Sequence, residues 1–416
     1  SSGNTYITGV FDSTETFGGT LLTKEGSDDD IFVAKLNNNG SWLWATSTGG
    51  GSDDVASSIA IHSNGSLYHS GSFRISATLG NTNVVVSDGY MDIFIQSFSS
   101  NRITRSAIHS SIQVADSGSY SINALTVKSD GVAYITGGFV TSITIGGTTL
   151  TSDTGDTDIF VAKLSANGQW MWAIQAGGEN EDCSLAIALD SNGDVYISGW
   201  FTGWQGGPTF GETTFTGIGD GFVAKIDSDG NWVWAIAIGG SSGTDSEKVH
   251  GMVILGTSIY ITGEFSSSTV NFGGYSLTRN SAGIGSDIFV AKLSSYGSWQ
   301  WAVEAGGPRG DVGKSIAVDG SGNTYITGYF YVSGSESATF GSSSITSNGG
   351  YDGFVAKLSS SGSWQWAINV GSTGGDQGNA ITVDSSGNSY ITGEFSGTAT
   401  FGSTNLTADG IHRDVY

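Results

Sequence analysis

Thr324-Tyr-Ile-Thr-Gly-Tyr-Phe330 decides the fold, because it is one of seven near-copies in the chain. Its tyrosine, Tyr325, answers to Tyr6, Tyr68, Tyr134, Tyr196, Tyr260 and Tyr390, and successive copies lie 62, 66, 62, 64, 65 and 65 residues apart. So regular a period is the mark of an array built from one supersecondary unit. Upstream of the phrase, Ser315-Ile-Ala-Val-Asp319 is a short apolar run and Gly320-Ser-Gly-Asn323 a tight turn. Downstream come Thr339-Phe-Gly341, then Asp352-Gly-Phe-Val-Ala-Lys-Leu358, a turn over 359–362, and Ser363-Trp-Gln-Trp-Ala-Ile368. Short β-rich runs bounded by Gly, Asn and Ser predict strands, and no segment holds a helical period.

Four strands per unit, antiparallel from first to last, predict an all-β, seven-bladed β-propeller with blades of 62–66 residues. A blade usually needs about 40–45 residues, and the surplus of roughly 20 lies between the second and third strands. There a Thr-Phe-Gly phrase (Phe17, Phe210, Phe272, Phe340, Phe401) precedes a Leu/Ile-Thr segment, which predicts an added hairpin or ordered loop on every blade. Residues 1–416 are therefore expected to form a single propeller domain of seven repeats, the first and last incomplete. The expectation is a piece excised from a longer chain, with strand exchange or assembly through the chain ends as the alternative.

These phrases resemble the bacterial and archaeal seven-bladed β-propeller repeat family often called SBBP. The matching residues are Ile316-Ala-Val-Asp319 with Gly322-Asn323, Tyr325-Ile-Thr-Gly328, and Asp352 to Leu358 followed by Gly362. The resemblance implies a secreted or surface-displayed propeller and carries no common enzymatic activity. Blade two departs most: Leu67-Tyr-His-Ser-Gly71 replaces the tyrosine phrase, Gln96 is taken to stand for the usual Lys, and Ile103 and Arg105 for the Trp pair.

Composition narrows the function. Fifteen Lys and Arg against 38 Asp and Glu give a net charge of −23, which disfavours nucleic acid because phosphate binding needs a clustered basic footprint. No apolar run of about 18 residues exists, so membrane insertion is not expected. The single Cys183 forms no internal disulfide, and no Cys-x-x-Cys metal motif is present. Residues shared by all blades read first as structure. The pairs Trp42/Trp44, Trp170/Trp172, Trp232/Trp234, Trp299/Trp301 and Trp364/Trp366 are expected to pack against neighbouring blades, since residues two apart share one face of a strand.

Candidate binding residues follow from loop geography. Fourth-to-first and second-to-third connections open on one face of a propeller, and here both are long, so ligand binding is expected on that long-loop face. One acid per blade stands just ahead of the innermost strand: Asp54, Asp182, Asp245, Asp311 and Asp376. A ring of carboxylates at the central channel is predicted, able to hold calcium or a polyol through oxygen ligands; the alternative is that each Asp caps its own backbone. Blade four adds Trp200 and Trp204 on the same side, aromatics suited to a saccharide. No catalytic residue is identified: Gly239-Gly-Ser241-Ser-Gly243 lies in a loop, not at a strand-to-helix elbow.

The expected function is a non-catalytic extracellular or cell-surface structural or adhesion module that binds protein or glycan. A carbohydrate-binding lectin is the first alternative. An extracellular hydrolase or lyase drawing on Asp182, Asp245 or Asp311 is the second.

Overall fold

The structure is a computed structural model. It describes residues 3–416 apart from 75, 80–81, 86–90, 99–119, 154, 204–206, 217–218, 241–245, 281–284, 334–335, 402 and 409–412. It is a seven-bladed β-propeller, and the described residues contain strands and turns but no helix. Blade 6 shows the plan: Val312–Val318, Thr324–Tyr331, Tyr351–Leu358 and Trp364–Val370 pair antiparallel in that order from inner to outer edge. Blades 3, 4 and 5 repeat it with four strands each. In blades 1, 2 and 7 three blade strands are described: Thr5–Phe11, Asp30–Leu36 and Trp42–Gly50; Val55–Ile61, Leu67–Arg74 and Met91–Phe98; Gln377–Val383, Ser389–Phe395 and Asp414–Val415. Ile103, Arg105 and His109 lie outside the described residues.

The alternating pattern of the tyrosine phrase is used on both faces, because the sheets of blades 3 to 6 are each sandwiched between two others. Tyr134, Tyr196, Tyr260 and Tyr325 are buried, and each meets a Trp of its own outer strand edge to face, as Tyr260 does Trp301 at 6.2 Å and 63°. Burying so large a ring contributes a few kcal/mol by area. The Lys five residues into the third strand lies across the same ring, with Lys357 Nζ 4.8 Å from the centroid of Tyr325. Lys225 adds an ion pair to Asp194 at 2.8 Å. The repeated lysines thus serve packing. Blade two shows how that position is lost: Gln96 falls at the Ala position, facing His69, and Ser97 takes the Lys position opposite Tyr68. The expectation that Gln96 replaced the Lys was displaced by one residue. Its true partner exchange is a buried His69–Gln96 pair (2.8 Å) where other blades have Ile and Ala.

The surplus residues form the expected hairpins, for example Thr269–Phe272 with Tyr275–Thr278. Phe272 lies 5.1 Å from Phe289 and edge-on to Trp299 at 5.0 Å, both on its own blade. The hairpin also reaches backwards. Val270 bridges Gly240, Thr339 bridges Gly306 and Thr209 bridges Gly177, each Gly lying at the end of the preceding blade's outer strand. Gly49 and Gly50 pair with Thr78 and Ala77 in the same way. The added hairpins of blades 2, 4, 5 and 6 therefore tie each of these blades to the one before it.

Every described inner strand carries one β-bulge near its start. The register slips between Ala56 and Ser58, Ile122 and Ala124, Ser184 and Ala186, Val249 and Gly251, Gly313 and Ser315, and Gly378 and Ala380. A bulge leaves one residue out of the ladder and re-aims its side chain. The residues released are Ser57, Asn123, Leu185, His250, Lys314 and Asn379.

Candidate functional site

Two layers of polar residues lie beneath the long-loop face. The deeper one contains the acids singled out by sequence. Asp54, Asp182, Asp311 and Asp376 are 0–1% exposed, so they do not line an open ring. Asp54 accepts the N–H of Gly50 at 2.7 Å, Asp182 that of Gly178 at 2.9 Å, and Asp311 those of Gly307 at 2.6 Å and Tyr331 at 3.1 Å. Asp376 accepts the N–H of Ser396 at 2.8 Å and holds Ser372. Backbone capping is what these side chains do.

Asp245 and Trp204 lie outside the described residues. The repeat position in blade 5 belongs instead to Glu247, which faces Phe265 as Asp182 faces Phe201. In blade 3 that position is Tyr120, facing Phe139. No group of three or more His, Cys, Asp or Glu that could hold a metal occurs among the described residues. The expected carboxylate ring thus resolves into separate, buried caps on blades 2, 4, 5, 6 and 7. The same burial withdraws Asp182 and Asp311 from any substrate on the surface.

Of the upper layer, sequence reading found Trp200 and missed the rest. The layer spans the inner ends of blades 4 to 7 and is built from bulge residues and the pair just beyond the caps. Lys248 Nζ lies 5.3 Å from the centre of the Trp200 ring. His250 Nε2 is 3.3 Å from Glu264 Oε1, while Ser286 donates to Glu264 Oε2 at 2.7 Å. Lys314 donates to Gln377 Oε1 at 2.6 Å and Asn379 Oδ1 at 2.9 Å, with the Tyr329 ring 5.5 Å away. Gln377, Asn379 and Arg413 in turn donate to Glu394. All these side chains are partly exposed.

The electrostatics fit a half-dry polar floor. Burial alone would raise Glu264, but the His250 hydrogen bond and charge, the Ser286 hydroxyl and Lys248 outweigh it and hold its carboxyl below the usual range. Burial likewise opposes ionisation of Glu394, and its bonds from Gln377, Arg413 and Asn379 reverse the balance. Burial pulls the Lys314 ammonium below its ordinary value, with Glu394 countering and Arg413 adding to the effect. Three cations and a histidine gather here in a chain with only 15 Lys and Arg. A sequence signal existed: aligning the repeats on the capping acid puts Leu185, His250, Lys314 and Asn379 in one column and Cys183, Lys248, Val312 and Gln377 in another, and in both charge and size change from blade to blade.

At the opposite end of the inner strands, Val127, Lys128, Ile187, Leu189, Asp190 and Ile254 border a wide cavity of about 630 Å³. Its lining mixes aliphatic and polar surface, with one Lys and one Asp, and it gathers no comparable set of functional groups.

The family model for the SBBP beta-propeller repeat matches residues 300–329 and 365–394. The chain carries SBBP-type β-propeller repeats. Both matched windows run from an outer strand, through a long loop, into the next blade's first two strands. Among curated proteins, an uncharacterized WD repeat-containing protein of Acanthamoeba polyphaga mimivirus is 27% identical over 253 residues, 52% of this chain and 18% of its own length. The regulatory protein FlaEY of Caulobacter vibrioides is 26% identical over 219 residues, 49% of this chain and 22% of its own. The chain thus matches about a fifth of the length of these relatives. Among solved structures, a Bacteroides caccae protein of unknown function aligns over 90% of this chain and 98% of its own at 10% identity and a TM-score of 0.40. NanB sialidase of Streptococcus pneumoniae aligns over 93% and 64% at 12% identity and a TM-score of 0.35.

Proposed function

We propose that this propeller is a non-catalytic binding module, displayed outside the cell or on its surface, that takes a glycan or a protein on its long-loop face. The observation that carries the reading is the polar array of Trp200, Lys248, His250, Glu264, Lys314 and Glu394 at the inner ends of blades 4 to 7. Aromatic faces beside forked donors and acceptors suit hydroxyl-rich ligands, which stack one ring face and present hydroxyls at the edge. The array draws on four blades, and propeller blades move little relative to one another, so its geometry is preorganised and binding sacrifices little side-chain freedom. The lectin reading is favoured over a protein partner because Trp200 and Tyr329 offer their rings beside charged groups rather than a broad apolar patch.

The test is a glycan array probed with the intact chain and with Lys314→Met and Trp200→Ala. Binding of one glycan class that both substitutions abolish, with melting temperatures retained, is the expected result. An array silent for the intact chain would defeat the lectin reading. Glycan binding that both variants retain would place the ligand elsewhere.

A further inference from the structure

The capping acids have partners that no function described so far uses. Each lies beside the Asp that opens the third strand of the preceding blade, and that second acid is buried too: Asp30, Asp158, Asp287 and Asp352 are 0–2% exposed. Five inter-blade junctions are built this way: Asp30 with Asp54, Asp158 with Asp182, Asp220 with Glu247, Asp287 with Asp311, and Asp352 with Asp376.

The paired oxygens converge on one glycine. A Cβ built on Gly49 would sit 2.6 Å from Asp30 Oδ1 and 2.9 Å from Asp54 Oδ2. On Gly371 it would sit 2.6 Å from Asp352 Oδ1 and 3.0 Å from Asp376 Oδ2; on Gly306, 3.1 Å from Asp287 Oδ1 and 2.8 Å from Asp311 Oδ2. Gly177 and Gly239 abut Asp158 and Asp220 in the same manner. The outer oxygens are taken: Asp30 Oδ2 accepts the N–H of Glu25, Asp287 Oδ2 that of Asn280, and Asp352 Oδ2 that of Asn348. The inner ones are not, and Asp30 Oδ1, Asp158 Oδ1, Asp287 Oδ1 and Asp352 Oδ1 are buried with no hydrogen-bond partner. An orphaned buried carboxylate oxygen facing a second carboxylate is untenable when both are ionised, since neither charge is compensated.

We propose that each junction is closed by one proton held between its two acids, so that the contact between neighbouring blades strengthens as the medium becomes acidic. A proton converts the facing oxygens from mutual repulsion into an O–H···O⁻ hydrogen bond, among the strongest available to a protein. A bound cation is disfavoured because, among the described residues, each junction supplies two carboxylates and no third metal-binding side chain.

The groups facing the pairs do not remove the need for a proton. Glu25, Asp29 and Asp53 add negative charge near the first pair and Lys24 opposes them. Asp153 and Asp156 face the second; Arg279, Glu304 and Tyr329 face the fourth; Tyr416 faces the fifth. Burial, reinforced by the partner acid, pushes Asp182 and Asp311 to about 8 and Asp54 to about 7. Burial pushes Asp158 to about 7, and Asp220, Asp287 and Asp352 to about 6. These values exceed those of the unfolded chain, so the native state binds more protons there. Stability is then greatest below about pH 4 for these groups and declines as pH rises through about 6 to 8.

The experiment follows the melting midpoint of the intact chain between about pH 8 and pH 5 in high salt, which screens surface charges but leaves buried pairs intact. The expected result is a midpoint that climbs as pH falls, and an infrared band of protonated carboxyl groups that persists at pH 7. Asp158→Asn should keep the fold, melt higher than the parent at pH 8 and flatten the pH dependence, because its amide donates permanently to Asp182. The exposed Asp12→Asn should do none of this. A flat midpoint and no protonated-carboxyl band would overturn the proposal, even if Asp158→Asn failed to fold. So would a calcium-dependent rise at pH 8 reversed by chelator, which would put a cation where the proton is placed.

Discussion

Replacing Phe272 by Ala tests whether the added hairpins hold the wheel together. Phe272 is fully buried and touches Phe289 and Trp299 at ring-centroid distances of 5.1 and 5.0 Å. Truncating a buried Phe costs about 3–5 kcal/mol from lost transfer energy and the cavity left behind. Two aromatic contacts at about 0.5–1.5 kcal/mol each belong within that figure rather than on top of it. With an unfolding entropy near 2.1 cal/mol/K per residue summed over 416 residues, each kcal/mol moves the midpoint by about 1 °C. The expected drop is therefore about 3–6 °C, with a matching fall in the urea midpoint at unchanged slope. Tyr275→Ala, at the exposed start of the second strand of the same hairpin, should cost far less. Urea and thermal melts followed by tryptophan fluorescence measure both. A loss below about 1 kcal/mol for Phe272→Ala would refute the view that the hairpin is part of the core rather than an ornament on it.

Gly371→Ala should destabilise by about 2 kcal/mol or more, because its methyl would press on Asp352 Oδ1 and Asp376 Oδ2, whereas Gly310→Ala meets open space and should stay within about 0.5 kcal/mol; chemical denaturation separates them. Lys225→Met removes the 2.8 Å bond to Asp194 and leaves two acids beside Tyr196, an expected loss of about 1–3 kcal/mol in the same assay. His69 supplies a pH effect of opposite sign to the acid pairs. Burial pushes its imidazole down to about 4, so its contribution is complete above about pH 6.5 and fades as pH falls toward 4; His69→Ile with Gln96→Ala should abolish that acid-side loss in a pH-resolved melt. Equal acid sensitivity in the double variant would contradict the assignment.

The fold was legible because propeller geometry is written in every repeat. The tyrosine phrase, the Asp-led third strand and the Trp pair each mark one strand, and the structure pairs them in the order their spacing required. The site was legible only in part. Sequence located Asp54, Asp182, Asp311 and Asp376 at equivalent places, but exposure is a property of three-dimensional packing, and the third-strand Asp that faces each of them is 24 residues away along the chain. The blade 5 member was taken as Asp245 because an Asp was sought; register assigns Glu247. His250 and Lys314 stayed hidden for a different reason. A bulge shifts the face of one residue, and nothing in a two-residue alternation announces it.

The backward reach of the hairpins changes what counts as one interchangeable piece. A cut made between sheets, after Gly306 for instance, would separate Gly306 from its bridge to Thr339 and Asp287 from Asp311. A cassette meant for transplanting between wheels should instead start within one outer edge strand and stop within the next. Grafted that way, each insert brings its own clasp for the sheet ahead of it and offers a ready seat to the sheet behind.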